Sequence, residues 1–200
     1  MPLKTTKKSA QNFSTKPWKK LTSQQKLHEA VNCAHQKNGW TVNLNFSKET
    51  EAMLKASSDP MRTFSKRFNK QLHEKGLENI PILLALEATR PGKRLHAHGI
   101  IICNENELQK ISNVLRQAGG FIQNKYKARQ LKMDRIYDAF GWAEYISKSF
   151  YSTRKLLGLT SKRKLWWMSR PLTQLAREAH TERLPVYTAA NFAEFFPLRA

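Results

Sequence analysis

Two apolar segments joined by a short turn constrain the fold of this chain more than any other feature. IPILLALEAT (80–89) and RLHAHGIII (94–102) flank the dipeptide Pro91-Gly92 and are rich in Ile and Leu. This pattern predicts a hairpin of two antiparallel strands. With the turn centred on the dipeptide, Glu87 lies directly opposite His96, whereas a loop one residue shorter or longer would turn Glu87 to the other face.

The second strand carries two histidines, His96 and His98, which project to the same side because side chains alternate along a strand. Glu87, opposite His96, would have its Cβ about 4.5–5.5 Å away. An isolated His-x-His pair also occurs as simple packing, but an opposed acid and apolar neighbours favour a metal site. Mixed nitrogen and oxygen ligands suit a catalytic Mg²⁺ or Mn²⁺ better than a structural zinc. Cys103 would project to the other side and is not a predicted ligand.

The remaining periodicities place further helices and strands around this hairpin. Apolar spacing and capping residues predict helices over 21–39, 47–76 with a break at Pro60, 105–118, 138–150 and a last one in PLTQLAREAHTERL, and strands over 41–47 and 127–137. This order predicts an α+β domain with a central, mostly antiparallel sheet and flanking helices.

Local composition divides the chain into three parts. It predicts a basic mobile arm over residues 1–20 and a folded domain over residues 21–155. It also predicts a basic, aromatic and helical C-terminal extension over residues 156–200. The third part follows the last helix of the domain and contains Trp166 and Trp167.

The charge indicates the kind of partner. The chain has 35 Lys and Arg against 15 Asp and Glu, a formal net charge of +20, which favours a polyanion. We expect no membrane-spanning segment and no secretory signal, because no apolar run reaches the required length. Cys33 and Cys103 lack metal-type or redox-type spacing, which suits a reducing compartment. The expectation is a cytoplasmic protein that binds nucleic acid and no membrane.

A tyrosine and a lysine in segment 138–150 stand apart from its apolar stripe. Tyr145 lies roughly 130° from the centre of that stripe at 100° per residue, and Lys148 is one turn further along the same face. A phenol with a pKa near ~10 becomes a nucleophile when a cation favours the phenolate. We predict that Tyr145 and Lys148 are catalytic; the alternative is a half-buried tyrosine beside an extended lysine.

These motifs resemble those of a known superfamily. LHAHGII resembles the His-hydrophobe-His motif of HUH endonucleases, and AEYISK resembles the Tyr-x-x-Lys motif of their replication-initiator (Rep) branch, which has a single catalytic tyrosine. Members also place an acidic ligand on the strand before the histidines, matched by Glu87, and TVNLNFS loosely matches an earlier motif. The resemblance covers about residues 40–150. The tyrosine follows the histidines, unlike in conjugative relaxases, and related transposases typically have Gln in place of Lys148.

The resemblance implies a ferredoxin/RRM-like HUH nuclease fold and a metal-dependent, site-specific endonuclease for single-stranded DNA. Tyr145 would attack the scissile phosphate to form a 5′-phosphotyrosine, most simply to initiate rolling-circle replication of a plasmid, phage or satellite element. The expected partners are single-stranded or locally melted DNA at an origin or nick site and a host helicase and polymerase. Two alternatives are a non-catalytic basic module that binds single-stranded nucleic acid, and a transposase or nickase with the same site.

Basic and aromatic residues around these motifs are the predicted DNA contacts. The cations suit the phosphate backbone and the two indoles suit base stacking. The predicted contacts are Arg90, Lys93, Arg94, Lys125, Lys127, Arg129, Lys132, Arg154, Lys155, Lys162, Arg163, Lys164, Trp166 and Trp167.

Overall fold

A five-stranded antiparallel sheet forms the centre of the protein. The structure is a computed structural model that describes residues 14–88, 94–122, 128–160 and 165–184. The strands are β1 (Trp40–Asn45), β2 (Ile82–Glu87), β3 (His96–Ile101), β4 (Leu131–Lys132) and β5 (Trp166–Met168). They lie side by side in the order β4-β1-β3-β2-β5. The predicted α+β class with a mostly antiparallel central sheet is confirmed.

Seven α-helices are present in the described part of the chain, preceded by a short 3₁₀ helix. After the 3₁₀ helix Trp18–Lys20 come α1 (Ser23–Gln36), α2 (Lys48–Lys55), α3 (Pro60–His73), α4 (Glu105–Ala118), α5 (Ala139–Ser147), α6 (Phe150–Leu156) and α7 (Arg170–Arg183). The break predicted at Pro60 is confirmed, because α2 and α3 are separate helices. Pro60 starts α3 because the Asp59 side chain accepts a hydrogen bond from the Arg62 backbone N–H. Segment 138–150 is interrupted after Ser147.

The hairpin of β2 and β3 has the predicted register. Glu87 is the partner of His96, and Ile82 is the partner of Ile101. On its other side β3 pairs with β1, so that Asn43 lies opposite His98. Because β3 is flanked by strands on both sides, its backbone pairs within the sheet. Its side chains are apolar because both faces of the strand are covered by the two cores described next.

Helices cover both faces of the sheet and create two apolar cores. On one face, Leu44 of β1 packs with Phe64 and Phe68 of α3 and with residues of α2 and α4. On the other face, Ile100 of β3 packs with residues of α1, α5 and α7, including Ala143. Cys103 packs against the first core, the face opposite Ile100, as its position in the chain predicts.

The predicted strand 127–137 is much shorter than expected. Regular pairing covers Leu131–Lys132, with an isolated bridge between Trp40 and Arg135. Between this bridge and the regular pairing, the Thr41 hydroxyl donates a hydrogen bond to the Asp134 carbonyl. The same hydroxyl oxygen accepts a hydrogen bond from the Asp134 backbone N–H at 3.2 Å. A side chain thus replaces part of the backbone ladder at this edge of the sheet.

Part of the segment assigned to a C-terminal extension belongs to the central sheet and its core. Strand β5 pairs with β2, with Trp167 opposite Leu84. Leu165, Leu172 and Ala176 are fully buried in the second core. Among residues 14–88, 94–122, 128–160 and 165–184, no helix combines the length and the apolar character needed to cross a membrane.

Candidate metal centre

Glu87, His96 and His98 meet at the end of the hairpin. Their ligand atoms all lie within 4.8 Å of one another. His96 Nε2 is 3.1 Å from Glu87 Oε2, and His98 Nε2 contacts the same oxygen. The two imidazole rings are nearly perpendicular, with centroids 4.7 Å apart. Two nitrogen donors and one carboxylate converging on one point form a group that could hold a metal ion.

The carboxylate of this group is buried yet remains charged. Glu87 is only 3% exposed. Burial on its own raises the pKa of the Glu87 carboxyl, but hydrogen bonds from His96, His98 and Ser149 outweigh it and hold the pKa well below its usual range. Burial lowers the pKa of His98, and the neighbouring His96 adds to this effect. Burial also acts to lower the pKa of His96, but the Glu87 carboxylate outweighs it and the net pKa is raised. An ionised carboxylate beside imidazoles is a suitable donor set for a divalent cation.

Three contacts behind the ligands orient them. His98 Nδ1 lies 2.7 Å from the Asn43 side-chain oxygen, and His96 Nδ1 lies 3.1 Å from the Arg94 carbonyl. The Ser149 hydroxyl donates to the second oxygen of Glu87 at 2.6 Å. Holding Nδ1 of each ring leaves both Nε2 atoms directed at the shared point, as is usual for histidine ligands of metals.

Asn43 and Ser149 were not identified from the sequence. The alternation of TVNLNFS places Asn43 on the face opposite Val42 and Leu44, which was a usable signal. Only the pairing of β1 with β3 shows that this amide lies beside His98. For Ser149 the sequence held no signal, because its position depends on the interruption between α5 and α6.

Tyr145 and Lys148 lie beside the Glu87–His96–His98 group. The Tyr145 ring centroid is 4.9 Å from that of His98. Lys148 Nζ is 3.4 Å from the centre of the Tyr145 ring and 3.9 Å from Glu87 Oε1. Tyr145 is 39% exposed, so its phenol is accessible to a large substrate. The geometry thus brings together a possible nucleophile, a cation and a possible metal site.

Trp142 supports this tyrosine from the side and was also missed from the sequence. Its ring stacks on Tyr145 with centroids 5.1 Å apart and an interplanar angle of 9°. Its indole N–H donates to the Gly99 carbonyl of β3 at 3.0 Å. The indole is therefore anchored to the central strand and holds the Tyr145 ring near His98.

The predicted DNA-contacting cations have diverse surroundings. Arg94 forms an ion pair with Glu51 at 3.2 Å and donates to the Phe46 carbonyl, which ties β3 to α2. Lys132 pairs with Asp134 at 3.0 Å, and Arg154 lies over the Tyr151 ring. Arg129 and Lys155 are exposed. Seven others lie outside the described residues: Arg90, Lys93, Lys125, Lys127, Lys162, Arg163 and Lys164.

The two predicted stacking tryptophans lie on different faces of the sheet. Trp166 packs against the core that contains Ile100, whereas Trp167 packs against the opposite core, with its ring centroid 6.3 Å from that of Phe68. Adjacent residues of a strand project in opposite directions. Trp166 and Trp167 therefore do not form one shared stacking surface.

Comparison of the chain with protein-family models, with curated proteins and with solved structures finds no match.

Proposed function

We propose that this protein is a metal-dependent, site-specific endonuclease for single-stranded DNA, of the HUH type, that forms a 5′-phosphotyrosine intermediate. The observation that carries the proposal is the position of Tyr145 and Lys148 next to the Glu87–His96–His98 group. Each feature alone has simpler explanations. A nucleophile, a cation and a three-ligand group at one accessible place are the parts that phosphodiester transesterification requires.

Each residue has a distinct role in the proposed reaction. Glu87, His96 and His98 would hold Mg²⁺ or Mn²⁺, which supplies charge neutralisation at the scissile phosphate when bound. The Tyr145 oxygen forms a bond to phosphorus and loses its proton, while the bond from phosphorus to the 3′ oxygen breaks and that oxygen takes up a proton. Lys148, whose ammonium lies over the Tyr145 ring, offsets negative charge on the phosphate.

The charge of the chain fits a DNA substrate. A net charge of +20 favours binding along a phosphate backbone, with affinity that falls steeply as salt increases. In this proposal the 5′-phosphate end of the nicked strand stays attached to Tyr145, and the 3′-hydroxyl freed on the other fragment primes synthesis. This suits the initiation of rolling-circle replication of a plasmid, phage or satellite element, with a host helicase and polymerase as partners.

The alternatives differ in what they predict. A transposase or a nickase directed at another genome would use the same residues and form the same covalent product. A non-catalytic module that binds single-stranded nucleic acid would form none. The covalent step is therefore the property to test first.

The test uses a panel of single-stranded oligonucleotides, each labelled at either the 5′ or the 3′ end, incubated with Mn²⁺ and separated under denaturing conditions. The 3′-labelled fragment should migrate with the protein, and the 5′-labelled fragment should be released. Tyr145→Phe should abolish the covalent species but keep DNA binding, because it removes one oxygen and no positive charge. Tyr151→Phe is the matched control, since Tyr151 is an exposed tyrosine on the neighbouring helix α6. A covalent species that persists in Tyr145→Phe would refute the assignment.

A further inference from the structure

A cavity of about 330 Å³ lies beside the candidate metal centre. Its lining includes Thr41 at the start of β1, Tyr137 and Asp138 just before α5, and Trp142 and Tyr145 on α5. This volume is at the small end of the range of about 300–1,000 Å³ found for small-molecule sites. It suits one nucleobase rather than a longer piece of a DNA strand.

Tyr145 connects the cavity to the candidate metal centre. Its side chain lines the cavity, and its ring centroid is 4.9 Å from that of His98. Any group bound in the cavity therefore lies next to the Tyr145 side chain, the proposed nucleophile. In a DNA strand cleaved by Tyr145, that group would be a base next to the scissile phosphate.

The walls provide aromatic surface for stacking. Trp142 and Tyr145 form a parallel pair, and Trp142 is fixed by its hydrogen bond to Gly99. Tyr137 is 92% exposed, which is unusual for a ring with a purely structural role. Aromatic side chains of this kind bind unpaired bases through their faces.

One carboxylate gives the cavity a hydrogen-bonding preference. Asp138 caps α5 through one oxygen, which accepts the Gly141 N–H at 2.9 Å. Its other oxygen accepts no hydrogen bond from the described residues. A Cβ at position 141 would collide with that oxygen, so the glycine leaves room for the carboxylate. A carboxylate repels phosphate but accepts a hydrogen bond from the amino group of cytosine.

We propose that this cavity binds a single nucleobase next to the scissile phosphate and that Asp138 makes it prefer cytosine over thymine. The inference rests on the proposed function in taking single-stranded DNA as the ligand. Where cytosine presents its N4 amino group thymine presents its O4 oxygen, so at that position two acceptors, O4 and the carboxylate oxygen, would face each other with no hydrogen between them.

The test measures binding of two labelled eight-nucleotide strands, oligo-deoxycytidine (dC8) and oligo-thymidine (dT8), by fluorescence anisotropy. Divalent metal is left out so that no cleavage occurs. The wild-type protein should bind dC8 about tenfold more tightly, as expected for one charge-assisted hydrogen bond. Asp138→Asn keeps the helix cap, because Asn caps helices as well as Asp does, but its amide can donate to thymine. The preference for dC8 should fall to about one or reverse.

Glu144→Gln is the matched control for charge. Glu144 lies on the same helix, pairs with His28 at 2.9 Å and does not line the cavity. Removing its charge should change the affinity for dC8 and dT8 by the same factor. Tyr137→Ala should weaken both complexes, whereas Phe140→Ala, which removes an exposed ring packed on His28, should not.

Equal wild-type affinity for the two oligonucleotides, or an unchanged preference in Asp138→Asn, would overturn the cavity assignment. These outcomes are independent of the covalent assay. If the protein forms the covalent adduct but binds dC8 and dT8 equally, only the nucleobase assignment of the cavity is refuted. If it prefers dC8 but forms no adduct, only the proposed nuclease activity is refuted.

Discussion

Asn43 should control how well the candidate centre binds a metal ion. Its side-chain oxygen is 2.7 Å from His98 Nδ1, and His98 is only 4% exposed. In Asn43→Ala the buried imidazole N–H loses its acceptor, which costs about 1–3 kcal/mol. A loss of about 1.4–2.7 kcal/mol in the free energy of metal binding corresponds to about 10- to 100-fold weaker binding. This is the usual effect of removing a group that orients a histidine ligand.

Asn45→Ala is the matched control for this substitution. Asn45 lies opposite His96 in the same strand pair, but its amide donates to the Arg129 carbonyl at 2.7 Å. Isothermal titration with Mn²⁺ should show the large loss for Asn43→Ala and a small one for Asn45→Ala. Asn43→Asp keeps an acceptor beside His98 and should restore binding. If Asn43→Ala and Asn45→Ala bind Mn²⁺ within twofold of each other, with native circular dichroism, the orienting role is wrong.

Two further predictions concern stability. Burial alone raises the pKa of the Glu51 carboxyl, but hydrogen bonds from Lys55, the Leu95 backbone N–H and Arg94 lower it overall. Glu51→Gln should therefore destabilise the protein by about 1–3 kcal/mol in urea denaturation at pH 7. The difference in the free energy of unfolding between wild type and Glu51→Gln is fully present above pH ~4.3, the pKa of an unfolded Glu. It is lost as the pH falls through the lower pKa of the folded state, so a difference that persists undiminished at pH 2 would contradict this account. Deleting residues 165–200 removes β5 and the buried Leu165 and Leu172, each worth about 1.5–3 kcal/mol. Thermal melting should show loss of the cooperative transition or a sharply lower midpoint, and a truncated chain that melts like the full-length protein would refute the core assignment.

Local sequence was sufficient for the hairpin and for the Glu87–His96–His98 group. A turn dipeptide sets the centre of the pairing, and strict alternation then decides which side chains share a face. Glu87, His96 and His98 are close in sequence, so few long-range contacts were needed to bring them together. For the same reason the spacing within one helix predicted that Tyr145 and Lys148 share a face apart from Ala143 and Ile146, which are buried.

The sequence alone determined the hairpin register, the face of α5 that carries Tyr145 and the basic character of the chain. Only the tertiary structure decided that Asn43 supports His98, that Ser149 holds Glu87 and that Trp167 belongs to an edge strand of the sheet. These last contacts join segments 55, 62 and 83 residues apart. Periodicity reports which face of an element is apolar, but the partner of that element depends on the packing of the whole chain, because many distant segments offer equally apolar faces.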